Sequence, residues 1–318
     1  MLPVSALAME PRAHAHEMLL GFALAVVAGN QLGVASPRRV AVLLVAWAAA
    51  RAAFLAAPAS LLAAGLNAAF AGLLALHVAP RLFGSAKKLR NQALPLVLTA
   101  LCAAAAAWHF TGGKLAYATV ALFALLMLFM GGRIVAPAVA GQLYRQGERL
   151  DARVQPRLEA VLIVAGFAAS GALAAGAMKL AAAALATAGA VAALRLARWR
   201  LWRPRGRPDL LCLAAGYAWL ALGLAAFGAA LWAGRHQSAA LHLITVGALG
   251  TLTLNVMAQA WLLKARRDPS RAPGIVVATV LIALATVFRM LAFFELAAGC
   301  WTAAFAMLLA IFWWSRRK

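Results

Sequence analysis

The chain has 318 residues, 65% of them hydrophobic and only 12% charged, with 30 Lys and Arg against 8 Asp and Glu. A soluble domain of this size must present a polar outside to water, so the composition excludes one. The formal charge of +22 does not indicate a nucleic-acid partner, because the basic residues sit in short loops rather than along a patch interleaved with aromatics.

In chain order the apolar segments run over residues 13–35, 39–57, 60–79, 92–110, 114–137, 158–176, 179–196, 210–233, 239–263, 273–294 and 297–314. Each is long enough for a membrane span of roughly 20 residues. Pro11 suits a first helical position. Pro58 with Ser60, and Thr111-Gly112-Gly113, mark tight turns. The expected fold is therefore all-α: a polytopic integral membrane bundle of about 11 transmembrane helices, forming one domain over 1–318. Between 175 and 179 little punctuation separates two Ala-rich helices, yet one uninterrupted helix there would scramble the sidedness of every later loop. A hairpin is expected. No cleavable signal peptide is expected, since no apolar leader core precedes Glu10.

The basic residues assign a direction to these spans. Six loops, starting at Arg38, Arg81, Arg145, Arg195, Lys264 and Arg316, carry 23 of the 30 Lys and Arg. They follow every second span. The opposite ends hold only Arg12, Lys114, Lys179 and Arg235. By the positive-inside rule the N-terminus is outside and the C-terminus cytoplasmic.

This topology puts five of the six histidines at the outer face: His14, His16, His109, His236 and His242. Imidazoles from three parts of the chain at one depth suit a haem or copper site in a helix bundle. The plain alternative is that histidines tolerate interfaces. Residues two apart on a helix point ~200° away from each other, so a helical His14 and His16 cannot face one metal together. His14 shares a face with Glu17 and Met18, which would suit a mixed His/Met copper site. Glu17 could instead hold an imidazole from the second shell, or the whole run could be an interfacial polar cap.

Arg51, Arg133 and Arg289 fall inside spans, where each costs ~3 kcal/mol on insertion scales. Arg133 is near enough to the cytoplasmic boundary to snorkel. Arg51 and Arg289 lie in the outer half, at a depth where guanidinium forks could take haem propionates; Glu295 is a competing partner for Arg289. Gly247, Thr251, Asn255 and Gln259 form a small and polar stripe, read first as a packing seam and alternatively as a polar pathway. Cys102, Cys212 and Cys300 have neither CxxC nor CxxCH spacing, so a zinc knuckle and covalent haem are not indicated. No Walker A or GxSxG motif is present.

Several segments together resemble the NnrS family of bacterial membrane proteins. The resemblance runs through His14-Ala-His16-Glu17-Met18-Leu19-Leu20-Gly21-Phe22, then Gly131-Gly132-Arg133-Ile134. It is strongest over LHLITVGALGTLTLNVM, from Leu241 to Met257, and closes on Cys300-Trp301-Thr302-Ala303-Ala304-Phe305-Ala306. Arg90-Asn91 with His109 is similar more loosely. The resemblance implies a multi-pass protein of the bacterial inner membrane that binds haem b and copper and is linked to nitric oxide metabolism or resistance to nitrosative stress. His14, His16 and His242 match its motif histidines, and Arg133 its glycine–arginine motif.

The chain departs from that pattern in three places. It begins just before HxHEM, so the family's usual first span is not expected. After Met257 it reads Ala-Gln-Ala-Trp and Lys264-Ala-Arg where Thr-Arg and a Gly-His-Thr-Gly turn are usual. After Gly29 it has Asn-Gln-Leu-Gly in place of a Pro-Asn-Trp-Thr region. The expected function is a haem-binding protein, with copper as an optional further metal, that meets a diatomic such as nitric oxide at the outer side, within the lipid bilayer. Its ligands would be His14, His16 and His242, with His109, His236 and Met18 beside them. The alternatives are a permease for a small solute or metal ion and a non-catalytic subunit. Whether the chain is an enzyme, and which protein it meets, stays open at this level.

Overall fold

The computed structural model describes residues 10–32, 35–85, 89–204 and 206–316, apart from the side chains of Leu89, Arg90 and Arg316. The loop residues Lys87, Lys88, Arg205, Arg317 and Lys318, and the segment before Glu10, lie outside the described residues. Among those described, secondary structure is entirely helical.

Helix α1 spans residues 11–32 in three parts: an α-helical opening Pro11–His16, a π-helical segment Glu17–Ala23, and Leu24–Leu32. Then come α2 (Pro37–Ala56), α3 (Leu61–Ser85), α4 (Leu89–Thr111), α5 (Ala116–Arg145), α6 (Pro156–Ala174), α7 (Met178–Arg198) and α8 (Pro208–Ala233). Helix α9 (Gln237–Lys264) again contains a π-helical segment, Leu243–Ala248; α10 is Pro273–Met290 and α11 Phe294–Arg316. Among the described residues ten of these helices, all but α1, are long and apolar enough to cross a membrane. The protein is a polytopic helical membrane protein.

Local chemistry explains the helix ends. Pro11 occupies the first turn of α1, and the Glu10 carboxylate accepts from the backbone N–H of Arg12 and Ala13, which satisfies donors that a helix start leaves open. Ser60 does the same for Ala63 at the start of α3. Gly112 and Gly113 both take positive φ between α4 and α5, and Gly176 does so in the expected hairpin between α6 and α7, a conformation glycine adopts without steric cost.

Two ends differ from the sequence reading. Spans were expected to stop at 79 and 137, before or at a proline. Instead α3 runs through Pro80 to Ser85, and α5 through Pro137 to Arg145. A proline inside a helix forfeits one ladder bond and bends the helix, and membrane helices tolerate this when neighbours cover the freed groups. The opposite happens after α10, which ends at Met290 because Ala292 turns the chain with a φ of +62°.

The chain divides into two compact units: residues 1–126 with 173–176, and residues 127–172 with 177–318. In the second unit, α7 and α8 pack through small residues. A Cβ on Gly189 would lie 2.7 Å from the Ala225 backbone nitrogen and 2.9 Å from the Ala221 carbonyl. One on Gly228 would lie 2.7 Å from the Ala182 carbonyl and 2.9 Å from the Ala186 nitrogen. Such close backbone approach is the usual way apolar helices gain contact where lipid removes the hydrophobic drive. Around α9, α10 and α11 a core of Leu254, Leu262, Ile275, Ile282 and Leu308 closes over Cys212.

The Gly247–Gln259 stripe forms a seam in this unit. Gly247 meets Trp219 and Thr286. Asn255 Nδ2 donates to the Thr251 carbonyl at 2.8 Å and to Thr279 Oγ1 at 2.9 Å, and Gln259 Nε2 donates to the Asp209 carbonyl. These are the contacts of a packing seam, while Thr251 Oγ1 and Asn255 Oδ1 are buried with no hydrogen-bond partner among the described residues.

Candidate functional site

In the first unit the opening turn of α1 separates the two motif histidines as helical geometry requires. His14 is exposed, whereas His16 is fully buried with Ala13 on the inward face. The π-helical segment starts at the next residue. A π turn widens the ladder, and such segments recur where a side chain must be re-aimed. Here it directs Glu17 inward and leaves the Gly21 carbonyl to a distant donor, Trp47 Nε1 of α2, at 2.8 Å.

The His16 ring is sandwiched by its surroundings. It stacks on Phe54 of α2 at 3.7 Å between centroids and 10° between planes. It meets Trp108 of α4 edge-on at 5.6 Å and His109 edge-on at 5.4 Å. Its Nδ1 lies 3.1 Å from Glu17 Oε1. A carboxylate only accepts, so Nδ1 carries the hydrogen and Nε2 the lone pair. The Nε2 atoms of His16 and His109 are both buried, and neither has a hydrogen-bond partner among the described residues.

Behind Glu17 a chain of polar groups crosses three helices. Arg51 Nη1 of α2 donates to Glu17 Oε1 at 2.6 Å, and Arg51 Nη2 donates to Asn67 Oδ1 of α3. Asn67 Nδ2 in turn donates to the Ala63 carbonyl at 2.8 Å. Gly21 makes this possible. A Cβ there would come within 2.9 Å of Arg51 Nη1 and 3.0 Å of Glu17 Oε2, so the glycine of the HxHEMLLG run is the space that the ion pair occupies. A sequence scan does not flag Asn67, although a lone asparagine in an apolar helix was the available signal.

Removing Arg51 would leave the Glu17 carboxylate with His16 alone and take the Arg51 donor from the buried Asn67 Oδ1. Arg51→Met is expected to destabilise the protein by about 1–3 kcal/mol, the cost of an unsatisfied buried polar group. That is less than the loss for a fully buried pair, since Glu17 keeps a quarter of its side chain exposed. The Glu17→Gln/Arg51→Met double variant should recover part of the loss, and thermal unfolding in detergent measures both.

The other candidates fall elsewhere. Met18 is exposed, at 37%, so the His14–Met18 face looks outward rather than onto His16. In the second unit His242 is buried, and its Nδ1 donates to the Ser238 carbonyl at 2.5 Å, which makes Nε2 the lone-pair nitrogen. Like His16, it closes a six-residue α-helical opening and directly precedes a π-helical segment. His236 is exposed, with a φ of +57° ahead of α9. The Arg133 guanidinium lies 4.1 Å from the Phe129 ring centroid and Arg289 4.4 Å from that of Phe294; among the described residues no ion pair joins Arg289 to Glu295. Arg51 has both terminal nitrogens engaged with Glu17 and Asn67, which makes it a positioning residue for the carboxylate.

Among the described residues no three His, Cys, Asp or Glu side chains converge as a metal cage. What the fold does bring together is two imidazole rings with buried, unpartnered Nε2 atoms, one ring oriented by a carboxylate, in an aromatic surround. Imidazole suits copper, zinc, iron and nickel, and a carboxylate behind a ligand histidine is the usual way its tautomer is fixed. One ion at about 2 Å from each nitrogen is compatible with rings this close. A haem plane between them is not, because Phe54 covers one face of His16 and Trp108 and His109 crowd its edge.

In comparisons with known proteins, a family model described as NnrS protein matches residues 2–317, nearly the whole chain. No curated protein and no solved structure matches.

Proposed function

Because the chain belongs to the NnrS family, and is thereby a membrane protein related to nitric oxide in general terms, we propose that it is a copper-binding protein of the bacterial inner membrane. In this reading residues 1–318 act as one membrane domain, with its metal end at the outer face, and small diatomics such as nitric oxide reach it there. The observation that carries the reading is the pair of buried, unpartnered Nε2 atoms of His16 and His109 on rings 5.4 Å apart.

Each neighbouring residue has a task in this arrangement. His16 and His109 would hold the ion through Nε2. Glu17 takes the Nδ1 hydrogen of His16 and so fixes the ring's tautomer and direction. Arg51 and Asn67 hold Glu17 in place, while Phe54 and Trp108 keep water from the two nitrogens. A bound copper ion would supply one-electron chemistry and an open position for a diatomic ligand. Haem b, which the family resemblance implies, does not fit between these two rings, and no step is assigned to it.

The test is metal analysis with an absorption spectrum, on protein purified after expression with copper and haem supplied. About one copper per chain is expected; protein with neither copper nor a Soret band would overturn the reading.

Sidedness has its own test. Ser85 and Ser238 are both exposed, and basic-loop counting puts them on opposite faces. In a background without native cysteines, Ser238→Cys should react with an impermeant thiol reagent from outside intact cells, and Ser85→Cys only after permeabilisation. Reaction of both from one side would remove the outer-face assignment.

A further inference from the structure

The second unit holds a cluster of donors that the copper reading does not use. Arg195, expected from sequence to be one of the loop cations, is instead in the last turn of α7 and is only 4% exposed. Its Nη1 donates to the Leu128 carbonyl of α5 at 3.0 Å. Its guanidinium lies 5.3 Å from the centroid of the Trp199 ring, and Trp199 packs on Tyr217 of α8 at 4.8 Å. Trp199 and Tyr217 are fully buried.

Both glycines of Gly131-Gly132-Arg133 serve this cluster. A Cβ on Gly132 would collide with the Arg195 guanidinium, and one on Gly131 with the Tyr217 ring. Close backbone approach is what glycine permits.

Arg195 Nε and Trp199 Nε1 are buried with no hydrogen-bond partner among the described residues, and the buried Tyr217 hydroxyl, near the Arg195 guanidinium, makes no well-formed hydrogen bond there. Two of these are donors only, the third can donate, and one belongs to a permanent cation. The Glu159 carboxylate is close enough to act on Tyr217, but among the described residues no ion pair joins it to Arg195. A buried guanidinium without a counter-charge is strongly unfavourable, and unpaired donors around it add to that cost.

We propose that Arg195, Trp199 and Tyr217 form a binding site for an anionic oxygen group, either a small inorganic oxyanion or the phosphate of an acidic lipid. Two donor-only groups, one of them cationic, beside a hydroxyl that can donate disfavour cations and favour a ligand with several lone pairs. Arg198 closes α7 and Arg200 follows it, while Arg203 and Arg207 are paired with Glu148 and Asp209; the excess positive charge at this end raises the local anion concentration. The site is independent of the histidine pair, so loss of either leaves the other testable.

The experiment is thermal unfolding of the detergent-purified protein at constant ionic strength, titrated with sodium nitrate, nitrite or phosphate against gluconate. A saturable rise in midpoint with one of these anions is expected, absent in Arg195→Met and half-saturating about tenfold higher in Tyr217→Phe. Native mass spectrometry separates the two sources. A lipid ligand appears as an acidic phospholipid retained by the wild type and lost from Arg195→Met. No anion-specific rise together with no retained lipid overturns the proposal, as does either signal persisting unchanged in Arg195→Met. Should that variant fail to fold, unchanged half-saturation or lipid retention in both Tyr217→Phe and Trp199→Phe overturns it instead.

Discussion

His16→Ala should abolish copper binding. The substitution removes one of the two proposed ligand nitrogens and leaves the His109 imidazole alone of the pair. His109→Ala should have the same effect for the reciprocal reason. Glu17→Gln is the graded case. It keeps the volume but weakens the acceptor at His16 Nδ1, and losing such a partner lowers metal affinity by about 10–100-fold. His14→Ala is the control, because His14 is exposed two residues away on the other side of the helix. Equilibrium titration with cuprous ion and a competing chelator measures all four. Equal affinity in His16→Ala and wild type would remove the pair from the copper site.

Gly189→Leu should prevent the second unit from assembling. The atoms a side chain would strike there are the backbone of Ala221 and Ala225 at 2.7–2.9 Å, and backbone cannot move aside as a flexible side chain can. Overpacking usually costs about 1–3 kcal/mol; a leucine driven into a helix–helix seam belongs at or above the top of that range. Gly228→Leu should behave alike from the opposite helix. Gly72→Ala is the contrasting case: a Cβ there meets nothing within 4 Å, and alanine should stabilise by up to ~1 kcal/mol through helix propensity. Yield of folded protein and thermal midpoint in detergent report both directions. A Gly189→Leu protein as stable as wild type would contradict the seam.

The helices were legible because a membrane demands long apolar runs, and those runs survive in one sequence without any knowledge of neighbours. The turn at Gly112-Gly113 was legible for the same local reason, whereas the hairpin at Gly176 was expected only because the basic loops had to keep alternating. The ends at 79 and 137 fell short of helices that run on through Pro80 and Pro137, since a proline's cost is set by what surrounds the freed backbone and not by the residue itself.

The site was half legible. Simple helical geometry separated His14 from His16, and the structure agrees. Which histidine faces inward, and that His109 rather than Met18 lies beside it, depends on α4 packing against α1 across about ninety residues of sequence. The Glu17–Arg51 pair spans 34 residues and runs through the space over Gly21, and no local pattern announces such a contact. Arg195 was hidden by its own surroundings: among neighbouring loop cations a buried arginine at a helix end reads as one more of them.

The copper-edge X-ray absorption spectrum of the copper-loaded protein bears most directly on the histidine pair. Two imidazole nitrogens at about 2 Å are predicted, falling to one or to loss of the metal in His109→Ala. A first shell dominated by sulfur, or a spectrum indifferent to His16→Ala and His109→Ala, would contradict it.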